Sequence, residues 1–131
     1  LYPNTDARQT TDSFQRYVEG YGLTARTMRW FRDHYVRDAA DIEDWRVSPL
    51  LAESLVGAPP AFVALAGRDI LFDEGLAYVR RLQAAGVPVV LKTLDGQIHG
   101  FASAGRHIDA ACATVIEAAE AWAGFRKGPT A

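Results

Sequence analysis

A chain of 131 residues, 49% of them hydrophobic, can bury one sizeable core and reads as one soluble domain or part of one. The formal net charge of -2 is spread over interspersed acids and bases, so there is no basic stripe for nucleic acid and no cationic amphipathic face for a membrane. A lone cysteine, Cys112, excludes an intramolecular disulfide, and no His/Cys/Asp/Glu spacing fits a metal cage.

In chain order, Leu1-Tyr2-Pro3 places an apolar residue and an aromatic before a proline, which suits the tail of a strand already under way. Residues 1–9 are thus expected to be a strand end and its following loop, in a truncated or processed chain. Residues 10–45 hold Phe14, Tyr17, Tyr21, Trp30, Phe31, Tyr35 and Trp45 among polar and charged residues, an irregular and aromatic pattern. Thr24 is a plausible N-cap for a helix to about Val36. Met28, Phe31 and Tyr35 would share one face and pack on the body.

Residues 46–131 change character. Ser48-Pro49-Leu50 to Gly57 is turn-rich, and Ala61-Phe62-Val63-Ala64-Leu65-Ala66 is a continuous apolar run, as in a parallel strand buried on both faces. Asp73-Glu74-Gly75 suits a helix N-terminus, with Leu76, Val79 and Leu82 on one face and Gly86 as the stop. Val87 to Leu91 reads as a second strand, and Pro88, which cannot donate a ladder hydrogen bond, favours a sheet edge that could pair with another subunit. Between about Arg106 and Ala123, the residues Ile108, Cys112, Val115, Ile116, Ala119 and Trp122 make an apolar stripe for a helix that covers the sheet, with Cys112 buried as a small hydrophobe.

Asp69 follows the first strand and His99 the second, so a parallel sheet would bring both to its carboxyl edge. A carboxylate beside an imidazole fixes its tautomer and stabilises the imidazolium formed when His takes a proton from a nucleophilic hydroxyl. Asp73 is the rival acid, better suited to a helix N-terminus, and Glu74 suits a helix-start or local polar contact. His34 and His107 fit solvated positions. Ser48, flanked by Val47 and Pro49, is a turn residue, and Ser103 follows no strand and has Phe101 where a nucleophile elbow has Gly.

Tyr2-Pro3, Ser48-Pro49-Leu50, Gly57-Ala58-Pro59-Pro60-Ala61, Gly67-Arg68-Asp69-Ile70-Leu71-Phe72-Asp73-Glu74-Gly75, Ala85-Gly86-Val87-Pro88-Val89 and His99-Gly100-Phe101 occur in order through nearly the whole chain. Together they resemble the C-terminal part of hormone-sensitive-lipase family (bacterial type IV) carboxylesterases. The resemblance implies an α/β-hydrolase fold, parallel strands with flanking helices plus part of a helical cap, to which residues 10–45 would contribute. It assigns Asp69 as triad acid and Asp69's partner His99 as general base, with Trp30, Phe31 and Phe101 as candidate contacts to a small ester substrate. No cofactor is implied. The family's G-x-S-x-G elbow and its oxyanion loop have no counterpart in these residues, so no nucleophile is assigned and the isolated chain is expected to be inactive. The missing N-terminal half or a swapped copy is expected to complete the sheet, the edge strand at 87–91 offers a homodimer contact, and the expected compartment is the cytoplasm. A non-catalytic binding or receptor module, or a peptidase or lactonase on the same scaffold, are the alternatives.

Overall fold

A computed structural model of the chain describes residues 1–127. Four helices and two strands are joined by short 3-10 turns: α1 (Asp12–Arg16), α2 (Ala25–Tyr35), β1 (Ala61–Arg68), α3 (Phe72–Ala84), β2 (Val89–Ile98) and α4 (Asp109–Lys127). β1 and β2 pair in parallel, with α3 as the crossover between them. The strand at the apolar run is as expected, extended by Gly67 and Arg68. The second strand starts later and runs further than expected, from Val89 to Ile98, because Val87 closes the end of α3 instead: its N–H donates to the carbonyl of Leu82 at 3.0 Å. Gly86, at φ +77°, turns the chain there in the left-handed region that glycine adopts freely.

The ladder carries an irregularity that matters for the site. From Ala61 to Ala66 each residue of β1 faces the residue 28 positions later, ending at Leu94, whereas Arg68 faces Ile98, 30 positions later. Two extra residues of β2 are therefore accommodated opposite Gly67. A side chain cannot be fitted at that crossing, since a Cβ on Gly67 would lie 2.5 Å from Cα of Asp95 and 2.8 Å from its carbonyl oxygen. Glycine at 67 is a steric requirement of the bulge.

One core cluster lies between sheet and crossover helix, where Val63 and Leu65 meet Val79 with Ala61, Phe72, Leu76 and Val89 around them. A second, of Phe14, Ala25, Met28, Ile70 and Leu71, ties α1 and α2 to the loop after β1. A third joins Ala66, Phe101 and Ala111. α2 forms as expected, and the hydroxyl of Thr24 accepts from the N–H of Thr27 at 3.1 Å. Its expected packing stripe does not form: Met28 is buried, but Phe31 and Tyr35 are 51% and 71% exposed. Ala25, one turn before Met28, takes the second inward position, and the larger rings stay on the outer surface.

α4 departs from expectation in the same way. Ala111 and Thr114 are the buried residues, while Val115, Ile116 and Trp122 are exposed at 49%, 57% and 65%, and Cys112 is exposed rather than buried. The small residues turn toward β1 because they allow close approach, which leaves the larger apolar stripe outward. No helix among the described residues is long and apolar enough to cross a membrane.

The crowding at Gly67 gives a test of the bulge. Gly67→Ala should destabilise the fold by about 1–3 kcal/mol, since the methyl meets backbone that cannot yield cheaply. Urea denaturation monitored by circular dichroism would show an unchanged midpoint if the strands do not cross so closely.

Candidate active site

The register places the first residue after each strand side by side. Because Arg68 faces Ile98, Asp69 and His99 leave the carboxyl edge together. Nδ1 of His99 stands 2.8 Å from Oδ2 of Asp69. A carboxylate only accepts, so Nδ1 carries the proton and Nε2 is the acceptor of the neutral ring. The Asp69 side chain is 1% exposed, and its other oxygen accepts the N–H of Leu71 at 3.0 Å, which closes a tight turn before α3. Both carboxylate oxygens are thus committed, one to holding its own loop and one to orienting the imidazole. The His99 side chain stays 24% exposed, open enough to exchange a proton with a bound molecule.

Three segments brace the pair. The ring of Tyr2 lies against the imidazole of His99, with centroids 4.6 Å apart, and edge-on to Phe101 at 5.8 Å. Tyr2 has φ +34°, a strained backbone for a residue with a side chain, and its N–H donates to the carbonyl of Ala64 at 2.6 Å. That carbonyl lies on the edge of β1 away from β2, since Ala61 faces β2 and alternate residues face alternate edges. The Ser13 hydroxyl donates to the carbonyl of Ile70 at 3.0 Å and accepts the N–H of Asp73 at 3.1 Å, while Asp73 accepts the N–H of Ser13 at 2.7 Å. Gly22, at φ +87°, lets the loop before α2 pass His99, because a Cβ there would lie 2.9 Å from the His99 carbonyl oxygen.

Glu74 adds a further brace. It is 0% exposed, and its Oε1 accepts the N–H groups of Thr5 at 2.6 Å and Asp6 at 3.1 Å. Oε2 has no hydrogen-bond partner among the described residues. Burial pushes the carboxyl up to about 7, opposed by the two N–H donors and aided by the nearby Asp6 and Asp69 charges. Burial also acts to raise Asp6, but hydrogen bonds and charge from Arg8 outweigh it and hold Asp6 below the ordinary range.

The remaining expected site residues fall apart from the pair. Phe101 is 1% exposed and packs with Ala66 and Ala111, so its ring serves the core. Trp30 and Phe31 are exposed on α2, Phe31 in a groove of about 300 Å³ with Gln9, Arg32, Tyr35 and Val36. Trp30 stacks on His34 at 4.2 Å, and Nδ1 of His34 is 2.7 Å from the Trp30 carbonyl, a local helix contact. Ser48 is buried, donating to the Ile42 carbonyl and accepting the N–H of Ala7, which is a structural turn. Ser103 is itself exposed, at the end of the 3-10 turn Phe101–Ser103. Among the described residues Asp69 is the only hydrogen-bond partner of the His99 ring. The Asp73 carboxylate sits in the first turn of α3, yet its Oδ2 holds the start of α1. The sequence signal for Tyr2 was its place in the Tyr2-Pro3 motif; Glu74 gave none beyond that of a helix-start carboxylate.

The raised Glu74 carboxyl fixes the sign of a pH effect. A group whose folded value is raised above its unfolded value of 4.5 binds its proton more tightly in the folded state, so stability present below about pH 4.5 is lost as pH rises to about 7. The loss should amount to roughly 3 kcal/mol. Glu74→Gln should flatten that slope in urea melts taken across the window, and an unaltered slope would remove Glu74 as its source.

With this geometry in view, the similarities are coherent. A family model described as the alpha/beta hydrolase fold matches residues 1–103. The carboxylic ester hydrolase LipN of Mycobacterium tuberculosis is 48% identical over 102 residues, which cover 77% of this chain and 27% of that protein. Ethyl acetate hydrolase of Pseudomonas putida is 40% identical over 121 residues, covering 92% of this chain and 38% of its own length. The crystal structure of LAE6, an alpha/beta hydrolase enzyme from the metagenome of Lake Arreo, superposes with a TM-score of 0.87 at 42% identity, over 95% of this chain and 40% of that one. The chain spans about a third of the length of the relatives it matches. It belongs to the α/β-hydrolase fold family, within the hormone-sensitive-lipase (type IV) carboxylesterase group, and corresponds to the C-terminal part of that fold.

Proposed function

We propose that the protein carrying this chain is a serine carboxylesterase that hydrolyses small carboxylic esters through an acyl-enzyme, with Asp69 and His99 as its acid and base. The observation that carries this reading is the 2.8 Å hydrogen bond between His99 Nδ1 and the buried Asp69 carboxylate. In the first step Nε2 takes the proton of a serine supplied from outside these residues as its oxygen attacks the ester carbonyl. The imidazolium then passes that proton to the departing alkoxide as the C–O bond breaks. Water then attacks the acyl carbonyl as it gives a proton to His99, and His99 returns that proton to the serine oxygen as the acyl C–O bond breaks and the acid leaves. Asp69 stays ionised throughout and stabilises the imidazolium. The names of the relatives, a carboxylic ester hydrolase and an ethyl acetate hydrolase, favour an ester over an amide substrate.

Residues 10–45 contribute to a cap over the site in this reading, with Trp30 and Phe31 as the exposed rings available to an acyl or alcohol group. The far edge of β1, to which Tyr2 is bonded, is completed by further polypeptide or by a swapped copy, and the free edge of β2, with Val90 and Leu91 at its surface, offers a homodimer contact. Light scattering on the 131 residues alone should report association or aggregation; a folded, monodisperse monomer would count against this completion.

For the chemistry, the intact protein should be labelled once by a fluorophosphonate, on a serine outside this chain, and should turn over 4-nitrophenyl acetate faster than a peptide anilide. Asp69→Asn should lower kcat by about 10⁴-fold and His99→Ala by about 10⁶-fold. Labelling of Ser48 or Ser103, or full turnover by the Asp69→Asn protein, would overturn the assignment.

A further inference from the structure

Residues 2–13 form a strap across the loop that carries Asp69, and it is fastened at three points. Tyr2 lies on His99, the Thr5 and Asp6 N–H groups converge on Glu74, and Ser13 is hydrogen-bonded to Ile70 and Asp73. The middle fastening is chemically unlike the others. A fully buried carboxyl normally has a cation or a full set of donors. Among the described residues Glu74 has two backbone N–H donors on one oxygen, none on the other, and no salt bridge. A neutral Gln or Ser could bind the strap at lower desolvation cost, so holding the chain does not by itself explain a carboxyl.

Its surroundings do. The charged groups that bear on Glu74 are Asp6, on the strap, and Asp69, on the loop after β1. Asp6 is neutralised by Arg8 at 2.8 Å. Among the described residues Asp69 is not paired with an Arg or Lys; its outward oxygen is directed at His99. Charge on Glu74 is therefore felt along the Asp69–His99 axis, and the Glu74 backbone lies only five residues beyond Asp69, in the first turn of the helix that the Asp69 loop leads into.

We propose that Glu74 is a positioning residue for the Asp69–His99 pair, fastening the strap that carries Tyr2 to the start of α3 and adding a second buried negative charge behind Asp69. The inference rests on the pair being the acid and base of the proposed esterase. Glu74 touches neither substrate nor the reacting atoms. It acts by fixing where Asp69 and Tyr2 meet the imidazole, and by favouring the imidazolium when it is itself ionised.

The test uses the intact protein that carries this chain, with 4-nitrophenyl acetate as substrate, and compares Glu74→Gln and Asp69→Asn with the unaltered protein. Gln keeps the shape and an acceptor for the Thr5 and Asp6 N–H groups but cannot carry charge. Glu74→Gln should lower kcat by about tenfold, leave KM within about twofold, and move the acid limb of the pH–rate profile modestly to lower pH, because the ionised fraction of Glu74, which grows toward pH 7, no longer favours the imidazolium. A purely structural loss would reduce the amount of active enzyme without moving that limb. In the unaltered protein, the Nδ1–H proton resonance of His99 should show a second inflection, near pH 7, as Glu74 titrates, beside the one from protonation of the ring itself; this readout stands even if the variant folds poorly. An unmoved acid limb together with no such inflection overturns the positioning role. If Asp69→Asn is as active as the unaltered protein, the triad reading fails and takes this inference with it. Loss of activity in Asp69→Asn with unaltered behaviour in Glu74→Gln sinks the positioning role alone.

Discussion

The parallel register of β1 and β2 is the constraint on which the rest of the site depends. If the offset of 28 residues had continued from Ala66↔Leu94, Gln97 rather than His99 would stand opposite Asp69. The two residues inserted at the bulge shift the offset to 30 and bring the imidazole to the carboxylate. An insertion of two preserves the side-chain alternation, so the residues beyond the bulge keep their faces. Gly67 makes this possible by offering no side chain where Asp95 crosses. A backbone accommodation in the sheet thus sets a 2.8 Å contact between side chains thirty residues apart.

The contact is then held from one side by local chain. Asp69 fixes its own loop through the N–H of Leu71, Ile70 and Leu71 are buried against α1 and α2, and Ser13 spans Ile70 and Asp73. These are interactions of backbone groups and small side chains, which hold position at less entropic cost than long charged pairs. The surface ion pairs, such as Arg37 with Asp41 and Arg46 with Asp44, lie elsewhere and contribute little, as exposed pairs do. Buried hydrogen bonds are concentrated at the carboxyl edge of the sheet.

What the sequence revealed and what it hid follow one physical line. Asp69 and His99 were legible because strand ends are marked by local composition, and a parallel sheet sends successive strand ends to one edge. The N-cap at Thr24 and the stop at Gly86 were legible because each is a local rule about a hydrogen bond or a dihedral angle. The stripe of α4 was legible as a stripe, but its direction was not. Periodicity says that Val115, Ile116 and Trp122 share a face and is silent on which neighbour that face meets, and the small Ala111 and Thr114 that take the sheet gave no hydrophobic signal. Phe31, Tyr35 and Cys112 were misjudged for the same reason. The bulge and the Glu74 brace were hidden because each depends on contact between residues far apart: Gly67 with Asp95, and Glu74 with Thr5, 69 positions away.

The distribution of burial separates two parts of the molecule. At the carboxyl edge, Asp69, Ile70, Leu71 and Glu74 are all at 3% exposure or less, closed over by residues of this same chain. Along the flanks, Val90 on β2 and Val115, Ile116 and Trp122 on α4 remain open. The contacts that orient the imidazole are therefore made inside residues 2–101, and neither the flank of β2 nor the outer face of α4 takes part in them. Whatever packs on those flanks reaches the Asp69–His99 pair through the β1–β2 register. The Asp69–His99 pair is held by its own chain, and in the proposed esterase that preorganisation is what electrostatic stabilisation of a developing imidazolium requires, since a dipole that must reorient during the reaction gives back much of what it contributes.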